Sequence, residues 1–197
     1  IEGIDKKKIL VEYAHPNTHK AFHIGHVRTA SLGESLARIL IGVGADVFRA
    51  NYQGDIGLHV AKALWGVQKL ESEGKSMVNL SDAKQKAEFL GEAYALGARA
   101  YESSENSKQE ITDMNKKIYL KDPEIVLLWE KTRRWSLDYF DSIYEKLGIK
   151  FDKLFFESEV EKRGKEIALE NVGKVFEEDQ GAIIFRAEKH GLHSRVL

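Results

Sequence analysis

The pattern of apolar and polar positions predicts a strand–helix–strand unit near the start of the chain. Residues 9–13 form an apolar run typical of a buried strand, and residues 47–52 form a second one. Between them, residues 27–43 carry apolar side chains at the spacing of one helix face, at Leu32, Leu36, Ile39, Leu40 and Val43. We expect these side chains to face the core, with Arg28, Glu34 and Arg38 on the outer side. Strands joined in this way lie parallel, with a right-handed crossover.

Helical spacing dominates the middle of the chain, from residue 58 to residue 147, where Pro123 interrupts it. We expect helices to start at Ser81 and at Asp122, and polar loops at residues 72–81 and 103–107. An aromatic and apolar stripe at helical spacing predicts core packing for Trp129, Trp135, Leu137, Phe140, Ile143 and Tyr144.

Sheet-like signals return after residue 148. We expect a strand at residues 150–156, a helix at 157–171 and a short strand at 182–186. The chain then divides into residues 1–62, which contain the strand–helix–strand unit, residues 63–147, a helical insertion, and residues 148–197, which return to the same sheet. The predicted fold class is α/β with a parallel sheet.

The composition excludes several classes of protein. Among 197 residues, 30 are basic and 31 acidic, which gives a net charge of −1. Because the chain as a whole is not positively charged, RNA would have to bind at a local basic patch. The lack of cysteine excludes disulfides and cysteine-ligated zinc. No apolar run approaches the roughly 20 residues of a membrane span, and the N-terminus is not a signal peptide, so we expect a cytoplasmic protein without a membrane partner. The chain begins at Ile1 and stops at Leu197 within an element, so we expect part of a longer protein.

Chemistry concentrates in residues 15–26, between the first strand and the first helix. Four of the seven histidines lie here, with Lys20 among them. Open parallel sheets bind ligands at the carboxyl ends of their strands. A helix N-terminus also favours a phosphate, because its N–H groups are free and its dipole end is positive. The segment therefore predicts a phosphate-binding turn.

The motif His23-Ile24-Gly25-His26 resembles the signature of class I aminoacyl-tRNA synthetases. The longer string, with Val11-Glu12-Tyr13, Pro16-Asn17, Lys20 and the residues up to Arg28, resembles arginyl-tRNA synthetase in particular. Residues 49–57 support this resemblance, and residues 146–159 support it more weakly. The resemblance implies a Rossmann-like nucleotide-binding domain of the class I synthetase type, with a helical insertion and without its second half. It also implies activation of arginine by ATP through an arginyl-adenylate, and transfer to tRNA(Arg). ATP with Mg²⁺ would be the substrate complex, and no tightly bound cofactor is implied.

The resemblance assigns ATP binding to His23, Gly25, His26 and Lys20, and catalysis to His23, His26 and Lys20. The physical chemistry of these residues agrees. The reaction needs no covalent nucleophile, because it is an in-line displacement at the α-phosphorus that depends on positioning and on neutralising charge. Gly25 lacks a Cβ, so its backbone can lie against a ligand ring. Lys20 contributes a mobile positive charge.

The resemblance assigns amino acid binding to Glu12, Asn17 and His15, although His15 stands where the family has serine or another small polar residue. An acidic residue in an apolar strand needs a partner. For Glu12 this is either the ammonium group of a bound amino acid or a lysine or arginine of the chain.

In the turn at residues 54–57, Ile56 stands where the family has tryptophan. In this segment, either the glycines simply allow a tight turn, or Asp55 helps to shape the site.

Other interpretations stay open. The histidines His15, His19, His23 and His26 could bind zinc, although their spacing crosses a turn with a proline. They could instead be satisfied histidines of an ordinary α/β domain. The chain could also be a non-catalytic synthetase-like module that binds a nucleotide or RNA. We find no second lysine signature of the Lys-Met-Ser-Lys-Ser type and no anticodon-binding domain. We therefore expect the chain alone to be inactive, and its unpaired sheet edge to favour self-association.

Overall fold

The computed structural model describes residues 4–179 and 182–196. The strands are β1 (Lys8–Glu12), β2 (Asp46–Gln53), β3 (Lys153–Phe156), β4 (Glu177–Asp179), β5 (Ala182–Phe185) and β6 (Arg195–Val196). The helices are α1 (Ile24–Gly42), α2 (Leu58–Ser72), α3 (Ala83–Ser103), α4 (Glu105–Tyr119), α5 (Pro123–Leu147) and α6 (Glu157–Glu170). The predicted strand–helix–strand unit and the helical middle of the chain are confirmed. The loop expected at residues 103–107 is wrong, because Ser104 caps α4 and the helix starts at Glu105.

The first three strands form a parallel sheet in the order β1-β2-β3. Ile9 pairs with Val47, and Tyr52 pairs with Phe155. Because the strands are parallel, the segments that follow them start at the same edge of the sheet. The strand predicted at residues 182–186 does not extend this sheet. It is β5, which pairs antiparallel with β4 and β6. Antiparallel pairing with β4 needs only a short connection, and β4 lies close to β5 in the sequence.

Helix α1 is rotated relative to the prediction. Its buried residues are Ala30, Glu34 and Ala37. The stripe at Leu32, Leu36 and Ile39 is exposed. The expectation is therefore wrong for these three apolar residues and for Glu34. It is confirmed for Leu40, which packs against the core, and for Arg28 and Arg38, which are exposed.

Glu34 can be buried because three donors surround its carboxylate. Tyr13 Oη donates to it at 2.6 Å, Arg38 Nε at 2.7 Å and Arg49 Nε at 3.0 Å. Burial on its own would raise the pKa of Glu34, but these hydrogen bonds outweigh burial and lower it. A buried charge is tolerated when it is paired in this way. Polar contacts thus fix the orientation of α1 on the sheet.

Helix α5 packs against the parallel sheet. Asp122 caps its N-terminus, Pro123 lies in the first turn, and Gly148 ends the helix in a left-handed conformation with φ 66°. Phe140 and Tyr144 are buried in one core cluster with Val11 and Tyr13 of the sheet side. The predicted core role of the aromatic stripe is confirmed for its buried members, among them Trp135, Leu137, Phe140 and Tyr144.

Helices α2 and α3 pack closely through two glycines. A Cβ atom at Gly66 would overlap the carbonyl group of Ala93, and one at Gly97 would overlap the carbonyl group of Lys62. The absence of both side chains allows the two backbones to approach. An apolar cluster that includes Val67 and Leu90 surrounds this contact.

The chain divides into two compact units, residues 1–157 and 158–197. The first contains the parallel sheet and α1 to α5. The second contains the antiparallel sheet, where Arg186 pairs with Glu177 at 2.9 Å and with Asp179 at 2.7 Å. The domain boundaries expected after residues 62 and 147 stay a prediction. The first helix of the helical middle, α2, already begins at Leu58. Within residues 4–179 and 182–196, no helix combines the length and hydropathy that crossing a membrane requires.

Candidate functional site

The candidate site lies where the turns after β1 and β2 meet. Thr18 donates to the carbonyl oxygen of Gly54 from its backbone N–H at 3.0 Å and from its hydroxyl at 3.3 Å. His59 Nε2 lies 3.3 Å from the same oxygen. These contacts hold the histidine-rich turn against the Gly54 turn at the edge of the sheet where the parallel strands β1 and β2 end.

His23 and His26 cap the N-terminus of α1. His23 Nδ1 accepts a hydrogen bond from the backbone N–H of Gly25 at 3.1 Å. His26 Nδ1 accepts one from the backbone N–H of His23 at 3.2 Å. The two rings stack with centroids 3.8 Å apart. This is a reciprocal capping box built from two histidines, and it starts α1 three residues before the predicted position.

The capping bonds fix the tautomers of both rings. Each Nδ1 accepts a hydrogen bond, so the proton of each neutral ring is on Nε2, which is left as a donor. Burial, followed by the electrostatic influence of the neighbouring His23 and Lys20 side chains, lowers the pKa of His26. His26 is therefore neutral at neutral pH and keeps its capping role. The first turn of α1 therefore presents two imidazole N–H donors.

Lys20 is half-buried close to this turn. Its ammonium group lies 5.2 Å from the centroid of the Tyr94 ring on α3, within the range of a cation–π contact. Its positive charge contributes to the lowered pKa values of His26 and His59, after burial in each case. Lys20 therefore brings a full positive charge to the space between α1, α2 and α3.

His19 does not join the other histidines at the surface. It is fully buried, with Nδ1 2.9 Å from Thr18 Oγ1 and Nε2 2.8 Å from Thr132 Oγ1. Its backbone N–H donates to Ser136 Oγ at 2.9 Å. Burial lowers the pKa of His19 to about 3, so the ring is neutral. The zinc interpretation included His19. Both ring nitrogens of His19 are hydrogen-bonded to threonine hydroxyl groups, so this arrangement does not support His19 as a zinc ligand.

Glu12 lies on the solvent-exposed face of β1. Its carboxylate lies 3.6 Å from His15 Nδ1, and both side chains are nearly half exposed. The argument that Glu12 is a buried charge in need of a partner is therefore wrong, because alternate residues of β1 face solvent. The alternative of a structural ion pair with a lysine or arginine is not seen among the described residues. The Glu12 carboxylate is accessible to a ligand.

A left-handed bend places His15 and Asn17. Ala14 and His15 have φ values of 78° and 53°, and the His15 backbone N–H donates to Asn51 Oδ1 at 3.2 Å. A Cβ atom on Gly54 would lie 2.6 Å from Asn17 Oδ1, so glycine at this position lets Asn17 approach the second turn. The role of Asn51 was not predictable from the sequence, because its partner His15 is 36 positions away.

Asp55 has a structural partner. Its buried carboxylate accepts a hydrogen bond from Arg133 Nε of α5 at 2.7 Å, and its carbonyl oxygen accepts one from Trp129 Nε1 at 2.7 Å. The Arg133 guanidinium also lies 3.9 Å from the centroid of the Phe156 ring. These contacts to α5 favour the structural alternative for this turn over a role of Asp55 in the site.

The part of the chain that the structure describes contains no group of three or more histidine, aspartate or glutamate side chains arranged to hold a metal ion. The predicted residues instead form two groups. His23, Gly25, His26 and Lys20 surround the first turn of α1. Glu12 and His15 form a pair at the end of β1, and Asn17 lies beside Gly54.

A parallel sheet that carries this histidine-capped helix at its ligand edge is the arrangement of a class I aminoacyl-tRNA synthetase. The family model described as "tRNA synthetases class I (R), catalytic domain" matches residues 1–194, so the chain belongs to this family.

The similar proteins are arginine–tRNA ligases. The chain is 35% identical to the arginine–tRNA ligase of Borrelia garinii subsp. bavariensis over 182 residues, which is 91% of this chain and 31% of that protein. It is also 35% identical to the arginine–tRNA ligase of Treponema denticola over 206 aligned residues, which cover 99% of this chain and 33% of that protein. Among solved structures, arginyl-tRNA synthetase from Thermus thermophilus is similar with a TM-score of 0.69 and 26% identity, covering 98% of this chain and 33% of that one. The chain thus spans about a third of the length of these relatives.

Proposed function

We propose that the native gene product that carries this sequence activates arginine with ATP and joins it to tRNA(Arg) in the cytoplasm. Two arginine–tRNA ligases that align with nearly the whole chain support the amino acid and the tRNA. The observation that carries the chemistry is the pair of imidazole donors fixed at the N-terminus of α1, with the charge of Lys20 near enough to act on His26.

The proposed reaction is an in-line displacement. The carboxylate of arginine attacks the α-phosphorus of ATP, the bond to the bridging oxygen breaks, and pyrophosphate leaves with the bonding electrons. The Nε2–H groups of His23 and His26 and the ammonium group of Lys20 would stabilise charge on the phosphate oxygens. Gly25 would leave room for the adenosine. Mg²⁺ would accompany ATP as part of the substrate.

We assign the amino acid to the other group of residues. The accessible Glu12 carboxylate would accept the ammonium group of arginine, in place of its contact with His15. Asn17, held beside Gly54, would contact the carboxylate of the amino acid. Both groups start at the carboxyl ends of parallel strands, where an open α/β sheet binds ligands.

The chain expressed alone is proposed to bind ATP weakly, to fail in charging tRNA and to self-associate. Self-association is expected because the chain exposes apolar surface, which includes Leu32, Leu36 and Ile39 of α1 and Leu10 and Phe48 of the sheet. Light scattering of residues 1–197 at several concentrations tests the association. A strictly monomeric chain that charges tRNA would contradict this proposal.

The experiment that tests the function is ATP–pyrophosphate exchange by the native gene product, with arginine and tRNA present. His23→Ala and His26→Ala should each lower exchange by about 100- to 1000-fold, the usual effect of losing one well-placed donor to a developing charge. His193→Ala is the matched control, since this histidine is exposed in the second unit. Near-normal exchange in both variants of the first turn would refute the assignment.

A second substitution separates capping from catalysis. Asparagine is among the best N-cap residues, so His23→Asn should restore the helix cap that alanine removes. It places no imidazole N–H toward the phosphates. We expect thermal stability to recover and exchange not to recover. Recovery of both would show that His23 acts only as a helix cap.

A further inference from the structure

We propose that the helical segment of the chain positions Lys20 for the phosphates of ATP, and that Tyr94 on α3 is the positioning residue for its ammonium group. This inference rests on the proposed function, because it takes Lys20 as the phosphate lysine. It adds a role for a residue 74 positions away in sequence, on a helix outside the strand–helix–strand unit.

The backbone before Lys20 is held by α5. His19 has φ 62°, a left-handed conformation that is unusual for a residue with a side chain. Ser136 binds its backbone N–H, and Thr132 binds its ring, in a fully buried setting. The start of the Lys20 side chain is therefore fixed in direction by contacts to α5.

The far end of Lys20 is held by α3. A lysine side chain has four rotatable bonds and a strongly hydrated tip, so it explores many positions unless something restrains it. The Tyr94 ring lies 5.2 Å from the ammonium group and attracts it through the negative face of the ring. The ring therefore restrains the ammonium group before any nucleotide binds, at a position from which its charge acts on His26 in the first turn of α1. Replacing the ring should enlarge the set of Lys20 positions and weaken its contact with phosphate.

The test is a variant series in the native gene product, assayed by arginine-dependent ATP–pyrophosphate exchange with tRNA present. Tyr94→Leu and Tyr94→Met should raise the KM for ATP or lower kcat, so that kcat/KM for ATP falls about two- to fivefold, the effect of a surface cation–π contact. The KM for arginine should not change. Tyr94→Phe keeps the ring and should behave as the wild type. Methionine fills the space without a ring, so it replaces the leucine variant if that one folds poorly.

The matched control is Tyr101→Leu on the same helix. The Tyr101 ring lies 4.3 Å from the ammonium group of Lys62, so this variant loses a similar contact away from the turn. It should leave kcat/KM for ATP unchanged, which separates positioning of Lys20 from a general loosening of α3.

A double-mutant cycle distinguishes positioning from any independent effect of Tyr94. In a Lys20→Met background, Tyr94→Leu should cause no further loss, because the group that the ring positions is absent. Additive losses, or equal losses in Tyr94→Phe and Tyr94→Leu, would overturn the inference while leaving the proposed function intact. If the wild type shows no arginine-dependent exchange, or if Lys20→Met leaves exchange unchanged, the proposed function itself fails, and the inference fails with it.

Discussion

Replacement of His19 by asparagine should make the stability of the chain less sensitive to acid. The native ring is fully buried and has its pKa lowered from 6.5 to about 3. In the unfolded chain the same imidazole gains a proton near its ordinary pKa. Between these two values the unfolded state binds more protons than the folded state, so stability falls as the pH falls below 6.5 and stops falling near pH 3.

The size of the effect follows from these two pKa values. One pH unit in this window corresponds to about 1.4 kcal/mol. Between pH 7.5 and pH 5.0 the group should therefore remove about 2 kcal/mol from the free energy of unfolding. Asparagine suits the site because it tolerates the left-handed conformation and keeps a polar side chain between the two hydroxyl groups. It does not titrate in this range.

Urea unfolding at pH 7.5, 6.5, 5.5 and 5.0 provides the measurement. The variant will be less stable at pH 7.5, because the hydrogen bonds to Thr18 and Thr132 are imperfectly replaced, so the quantity to compare is the loss between the two extremes of pH. We expect that loss to be smaller in His19→Asn by about 2 kcal/mol. His193→Asn removes an exposed histidine and should keep the wild-type loss. Parallel pH dependence in His19→Asn and the wild type would refute the argument.

Two further predictions concern the helix contact and the amino acid site. Gly66→Ala should destabilise the chain by about 1–3 kcal/mol, because the new Cβ overlaps the Ala93 carbonyl. By contrast, Gly91→Ala, which meets no atom within 4 Å, should stabilise it by about 0.5–1 kcal/mol, and equal Tm values for both variants would contradict this prediction. Glu12→Gln should weaken arginine binding by the native gene product roughly tenfold and leave ATP binding unchanged. Calorimetry with each ligand measures this, and equal losses would indicate a structural role.

The parts of the fold that were predictable from the sequence are those fixed by local pattern. The apolar runs of β1 and β2, and the Asp122-Pro123 start of α5, each depend on neighbouring residues. The rotation of α1 was not predictable, because Glu34 is stabilised inside by Tyr13 and Arg49. These donors lie 21 and 15 residues away and meet Glu34 only after the sheet has formed.

The candidate site shows the same limit. The sequence predicted a phosphate-binding turn from the cluster of histidines, but histidines of one segment have different surroundings. His19 is a core residue because Thr132 and Ser136 reach it from more than 100 positions away. The contact of Tyr94 with Lys20 was also invisible, since an aromatic residue at helical spacing normally indicates core packing. Local motifs identified the turn, and long-range contacts decide which of its side chains remain accessible.

The histidine capping box of α1 has a consequence for the thermodynamics of anion binding. A side chain that becomes ordered when a ligand binds loses rotamer entropy, at a cost of roughly 0.5–1.5 kcal/mol. The rings of His23 and His26 lose this freedom when the helix folds, because each is already hydrogen-bonded to the backbone of its own first turn. A phosphate bound as proposed would then meet donors that need no further ordering. Folding of the helix and preparation of the site are the same event, so a substitution that frays this turn weakens binding even when it leaves every donor in the chain.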